Sequence, residues 1–131
     1  MGSKFNPTEV TIDASKIIEL SVIANTTPEN SKDGKYNLQA NYEAKPIILD
    51  NGNVFLDLNL TIESSGAPTY DVNIVTRTMF MFPDGVSDKT INSYLESEGT
   101  VRAFDFARTY IKTITAFGIW DGLELPGIPV S

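Results

Sequence analysis

GTVRAFDFARTYIKTITAFGIWDGLELPGIPV, running from Gly99 to Val130, decides the fold. Val101, Phe104, Ala107, Ile111, Ile114 and Phe117 recur at three- and four-residue steps, which predicts an amphipathic helix with one apolar stripe. Arg102, Asp105, Arg108, Lys112 and Thr115 fall elsewhere on it, so the stripe needs a surface to bury against. After Gly118 the pattern changes. Ile119, Trp120, Leu123, Leu125, Ile128 and Val130 are spaced by Gly122, Pro126, Gly127 and Pro129, which suits neither a helix nor a polar loop. Such a segment lies across a surface and offers its side chains, among them the chain's one tryptophan, Trp120.

The partner surface is legible upstream. Residues 17 to 24, IIELSVIA, form a β-branched apolar run, and the polar stretch from Asn25 to Lys35 with Pro28 and Asp33-Gly34 reads as a connector. Tyr36, Leu38, Ala40, Tyr42 and Ala44 alternate with polar residues, the period of a strand buried on one face. Asp50-Asn51-Gly52 marks a tight turn, after which Val54, Leu56, Leu58, Leu60 and Ile62 continue the alternation. A fourth strand spans about Tyr70 to Phe82 and ends at Pro83-Asp84-Gly85. Ser87 then suits the N-cap of a short helix through Leu95, with Ile91, Tyr94 and Leu95 inward, and Gly99 is expected to interrupt before the main helix. The fold class is therefore α+β: a four-stranded antiparallel meander packed with a long C-terminal helix.

At 131 residues the chain forms one domain, 1–131, large enough to remove about two thirds of its extended-chain surface from water. A net charge of -7 opposes binding to a phosphate backbone, because complex formation would concentrate like charge instead of releasing counterions. There is no signal-like segment and no apolar run near the ~20 residues a membrane helix needs, so a cytoplasmic, non-inserted protein is expected.

The sequence contains neither histidine nor cysteine. Ser-His-Asp and Cys-His catalysis, disulfides and ordinary zinc ligation are thereby excluded, and no cofactor or metal site is expected. Asp71 paired with Asp57 or Glu63 is the remaining acid and base arrangement, but outward carboxylates on neighbouring strands ordinarily form a solvated face. Asp50-Asn51-Gly52-Asn53 lacks the spaced acidic ligands of a calcium loop and reads as a hairpin.

The segment from Leu95 to Val130 resembles the C-terminal half of SecB-type protein-export chaperones. That family's main helix begins near an aromatic-x-aromatic-Ala-Arg motif, ends at glycine, and runs into an aromatic followed by a Leu-x-Leu tail with proline. Phe104, Phe106, Ala107 and Arg108 match the first element, Gly118 the end, Trp120 the aromatic, and Leu123 with Leu125 the tail. The resemblance implies an ATP-independent chaperone that forms dimers or tetramers and holds unfolded polypeptides for export. By position it implies a peptide-binding role for Trp120, Leu123 and Leu125, and sheet packing with subunit contact for Tyr70, Val72 and Ile74. The acidic outer sheet that docks the SecA translocation motor is echoed by Asp71 and Glu63. The connector TTPENSKDGK has no aromatic where the family carries a tryptophan, and the sequence stops at Ser131 where the family continues, so a shortened member is expected. A different class of function, an oligomeric adaptor of the same fold for one folded partner, fits the same residues.

Overall fold

The computed structural model describes residues 5–25, 37–65 and 69–117. Among these, four strands form one antiparallel sheet: β1 (Thr11–Asn25), β2 (Asn37–Ile48), β3 (Val54–Ser65) and β4 (Thr69–Met81). The spatial order is β1-β4-β3-β2. The expected meander thus runs through β2, β3 and β4, while β1 and β2, consecutive in sequence, occupy opposite edges. β1 starts at Thr11, upstream of the apolar run, because its polar first residues pair with the end of β4. β2 continues through Pro46, which an edge strand tolerates since one side of its backbone needs no partner.

Alternation sets the core. Leu56, Leu58, Leu60 and Ile62 on β3 are fully buried, and Leu60 faces Ile74 across the ladder to β4. The turn between β2 and β3 closes through Leu49 N–H donating to the Asn53 carbonyl at 2.9 Å, with Gly52 at φ +87°. That left-handed conformation is accessible to glycine at no steric cost.

The helical part differs from the sequence expectation in two ways. First, Gly99 does not interrupt: α1 (Asp88–Tyr94), a π turn (Leu95–Gly99) and α2 (Thr100–Thr115) run on as one helix of 28 residues. Ser87 does cap it, its hydroxyl accepting from Thr90 N–H. Gly99 has helical dihedrals, and its function is close packing: a Cβ there would lie 3.3 Å from Leu95 Cδ2 and from the Tyr94 carbonyl, and 3.6 Å from Phe80 Cζ. The extra residue of the π turn is accommodated by the Thr100 hydroxyl, which donates to the Leu95 carbonyl.

Second, the buried stripe is shifted. Thr100, Ala103, Phe104, Ala107, Ile111 and Thr115 face inward, whereas Val101 and Ile114 are half-buried and Phe117 is exposed. Ala103 and Ala107 have no bulk to hold the helix off the sheet, so the axis of contact passes through them. Arg102 fastens the N-terminal segment to this helix by donating to the Val10 carbonyl and to the Tyr94 hydroxyl. Phe5, Phe82 and Tyr94 complete an aromatic cluster at that end.

In an exposed helix, Gly→Ala stabilises by about 1 kcal/mol. At Gly99 the opposite outcome is expected: urea unfolding of Gly99→Ala should show an unchanged or lowered midpoint. A raised midpoint would mean that Leu95 yields freely.

Candidate functional site

One helix cannot cover four strands. It lies along β3 and β4, and the flanks of the same face remain partly open. On β2, Tyr42 sets its ring edge against Phe104 at 5.9 Å between centroids and is still 49% exposed. On β1, Leu20 and Ile18 are exposed, the latter at a β-bulge between Ile17 and Glu19, and Ile23 on the outer face is 62% exposed. No described strand pairs with the outer edge of β1 or of β2. Such edges present backbone donors and acceptors to any extended chain, whatever its sequence.

At the C-terminal end of the helix the Tyr70 hydroxyl donates to the Thr115 carbonyl at 3.2 Å, tying the last turn to β4. Just beyond the cap residue Ala116, Phe117 is 87% exposed. The sequence placed Phe117 in the buried stripe; it lies instead past the last helical residue that the sheet can reach. Trp120, Leu123 and Leu125, the expected peptide-binding residues, lie outside the described residues. Tyr70, Val72 and Ile74 sit under the helix and are buried within the chain itself. Of their β1 partners Ala24, Val22 and Leu20, only Leu20 is exposed.

The outer face of the sheet bears a banded charge pattern. Ile47, Phe55, Met79 and Ala14 form an apolar row across it, followed by Lys45, Asp57, Arg77 and Lys16. Arg77 makes a two-pronged ion pair with Asp57, both contacts at 2.8 Å. That hydrogen bond, and then the charge of Asp57, hold the Arg77 guanidinium above its ordinary pKa. At the far end Glu63 and Asp71 lie side by side on neighbouring strands, since Ile62 pairs with Val72. They share a shallow concavity of about 440 Å³ with Ser21, Ile23, Thr61 and Asn73.

Asp57 is therefore no partner for these two carboxylates. It is engaged by Arg77, and it stands six residues along β3 from Glu63, about 20 Å at ~3.3 Å per residue. No group of three or more potential metal ligands occurs among the described residues. No described helix is long and apolar enough to cross a membrane. Among the described residues, exposed aromatic and aliphatic side chains lie beside strand edges with which no described strand pairs.

No protein-family model and no curated protein matches the sequence. Among solved structures, the SecB-like chaperone of Mycobacterium tuberculosis, in complex with a ChAD peptide from the HigA1 antitoxin, superposes with a TM-score of 0.74 at 10% identity, covering 91% of this chain and 90% of that one. A Streptococcus agalactiae protein of unknown function gives a TM-score of 0.50 at 12% identity, covering 90% of this chain and 97% of that one. The chain has the SecB-like α+β fold, a four-stranded antiparallel sheet backed by one long helix.

Removing the hydroxyl in Tyr70→Phe should cost about 1 kcal/mol and loosen the last helical turn. Hydrogen exchange at Ala116 and Phe117 should accelerate, with the centre of the sheet unchanged; uniform protection would show that the turn is held by other contacts.

Proposed function

We propose that this protein is an ATP-independent holdase that binds non-native polypeptides and serves protein export, with the SecA motor as a partner. The observation that carries the reading is the SecB-like fold with Phe117 projecting into solvent where the Trp120, Leu123 and Leu125 tail begins. A holdase needs no catalytic group; it needs adaptable apolar surface and enough net charge to keep copies apart, and a charge of -7 meets the second requirement. Covering a few hundred Å² of apolar surface yields about 25 cal/mol per Å², sufficient to offset the ordering of a short extended segment. In this reading Phe117, Trp120, Leu123 and Leu125 form the apolar binding surface, and the strand edges that no described strand covers add main-chain hydrogen bonds. The Glu63 and Asp71 concavity is the surface offered to the motor, and the protein works in the cytoplasm as a homodimer or homotetramer.

Substoichiometric protein should slow the aggregation of two unrelated denatured clients, and Trp120 emission should shift when unfolded chain is added. Trp120→Ala should weaken that protection with the fold intact. The peptide in the mycobacterial complex comes from one antitoxin, which favours a second reading: an adaptor for a single partner. No effect on either client, together with tight capture of one native protein, would select the adaptor.

A second copy covering the open β1 edge with Ile18 and Ile23 would build the oligomer. Light scattering at micromolar concentration should give at least twice 14.4 kDa, and Ile23→Lys should lower that mass. A 14.4 kDa species alone would remove the oligomer from the proposal.

A further inference from the structure

A cavity of about 650 Å³ lies at the opposite end of the sheet from Phe117, between the β2–β3 turn and the connector from β4 into the helix. The turn that walls it carries a reactive pair. Of the chain's asparagines, Asn51 alone is followed by glycine, and both residues are exposed. The glycine leaves its own nitrogen unshielded, since a Cβ there would meet nothing within 4 Å, and it accepts the φ of +87° that the turn requires. The Asn51 side chain is folded back over that peptide: its Oδ1 accepts from the Asn53 N–H at 3.0 Å, closing an Asx turn. The ring so closed contains both the Asn51 Cγ and the Gly52 nitrogen, so the amide is held on the chain and kept from swinging into solvent. The same N–H draws electron density from the Cγ carbonyl and would support negative charge developing on Oδ1. One contact opposes reaction, the Gly52 N–H donating to the Leu49 carbonyl at 3.0 Å. That bond sits in a turn of exposed residues, where local opening is least costly. Asp84-Gly85, across the cavity, shares a left-handed glycine but presents a carboxylate, a poorer electrophile than an amide.

We infer that Asn51 is a site of spontaneous deamidation, and that the isoaspartate formed there loosens edge strand β2. The Gly52 nitrogen bonds to the Asn51 Cγ, the Cγ–Nδ2 bond breaks, and Nδ2 leaves as ammonia with the proton that the Gly52 nitrogen gives up. Water then opens the cyclic imide, its hydroxyl adding to one of the two carbonyl carbons and its other proton returning to nitrogen. Opening at the Cγ side gives aspartate; opening at the main-chain carbonyl gives isoaspartate, in which the backbone runs through Cβ and Cγ and is a methylene longer. The turn is closed by Leu49 N–H donating to the Asn53 carbonyl at 2.9 Å, and a longer loop cannot keep that contact together with the Gly52 bond to Leu49. The new carboxylate also joins Asp50, Asp84 and Asp88 around one cavity, adding like charge between the two loops. Among the described strands β2 is paired by β3 alone, so the ladder from Ile48 and Val54 onward has no second neighbour to hold it. This inference uses the turn alone and is independent of the holdase reading.

The test is incubation of the unaltered protein for several weeks at body temperature, in neutral and in mildly alkaline buffer, followed by peptide mapping with mass spectrometry. The mass change from amide to acid should accumulate at Asn51 before Asn53, Asn59 or Asn73, and faster in the alkaline buffer, because the attacking nitrogen must lose its proton. Chromatography should resolve two products, aspartate and isoaspartate. In the isoaspartate fraction, hydrogen exchange at 47–49 and 53–55 should speed up several-fold, with β4 unchanged. Freshly prepared Asn51→Asp adds the charge without the extra methylene and should exchange close to the parent rate. Asn51→Gln, whose side chain forms the ring far more slowly, should stay unmodified at this position. An Asn51 that converts no faster than Asn53 or Asn59 would overturn the modification site. Unchanged exchange in the isoaspartate fraction, or equal loosening in fresh Asn51→Asp, would overturn its effect on β2.

Discussion

Everything described rests on one contact: the central strands β3 and β4 pressed against a helix whose inward residues include Ala103 and Ala107. Their small side chains allow close approach, which seals Leu56, Leu58, Leu60 and Ile74 from water. The same geometry limits what can be covered. A helix is about 10 Å across with side chains, and strands lie ~4.8 Å apart, so one helix shields about two strands of four. The exposed Tyr42 on β2 and Leu20 on β1 follow from that mismatch, while Ile23 lies on the opposite face, which the helix does not reach. Exposed apolar surface in this fold is a consequence of having one covering layer.

The π turn belongs to the same constraint. Ile91, Tyr94 and Leu95 face the aromatic cluster at one end of the sheet, and Ala103, Ala107 and Ile111 face its middle. A helix of constant pitch would rotate one of these sets away from the sheet; one inserted residue at Leu95–Gly99 keeps both inward. Gly99 fits because Phe80 and Leu95 already occupy the space a side chain would need. A residue that reads as a helix breaker in sequence is here a packing residue.

The two ends of the molecule differ in character. At one end the helix stops, Tyr70 holds its last turn, and Phe117 faces solvent. At the other, two tight loops enclose a cleft whose charged lining residues, among the described ones, are Asp50, Asp84 and Asp88. On the uncovered face, Glu63 and Asp71 come together while Asp57 is held by Arg77 a long way along the strand. Apolar contact, acid-rimmed cleft and paired carboxylates therefore occupy separate regions, and each can be altered without disturbing the others.

The amino-acid order alone determined the strands, the turn at Asp50-Asn51-Gly52, the cap at Ser87 and the amphipathic helix, because local periodicity and turn chemistry act over a few residues. It also assigned Leu56 through Ile62 to the core, where the alternation has no exceptions. It could not place β1 beside β4, since strand order depends on long-range pairing that leaves no periodic mark, and the continuous run IIELSVIA does not declare a face. Phe117 fits the helical spacing as well as Ile111 does; only the tertiary arrangement, which ends the sheet contact at Thr115, leaves it outside. The cleft was invisible for the same reason: Asp50, Asp84 and Asp88 are scattered along the chain, and folding brings their loops to one end of the sheet.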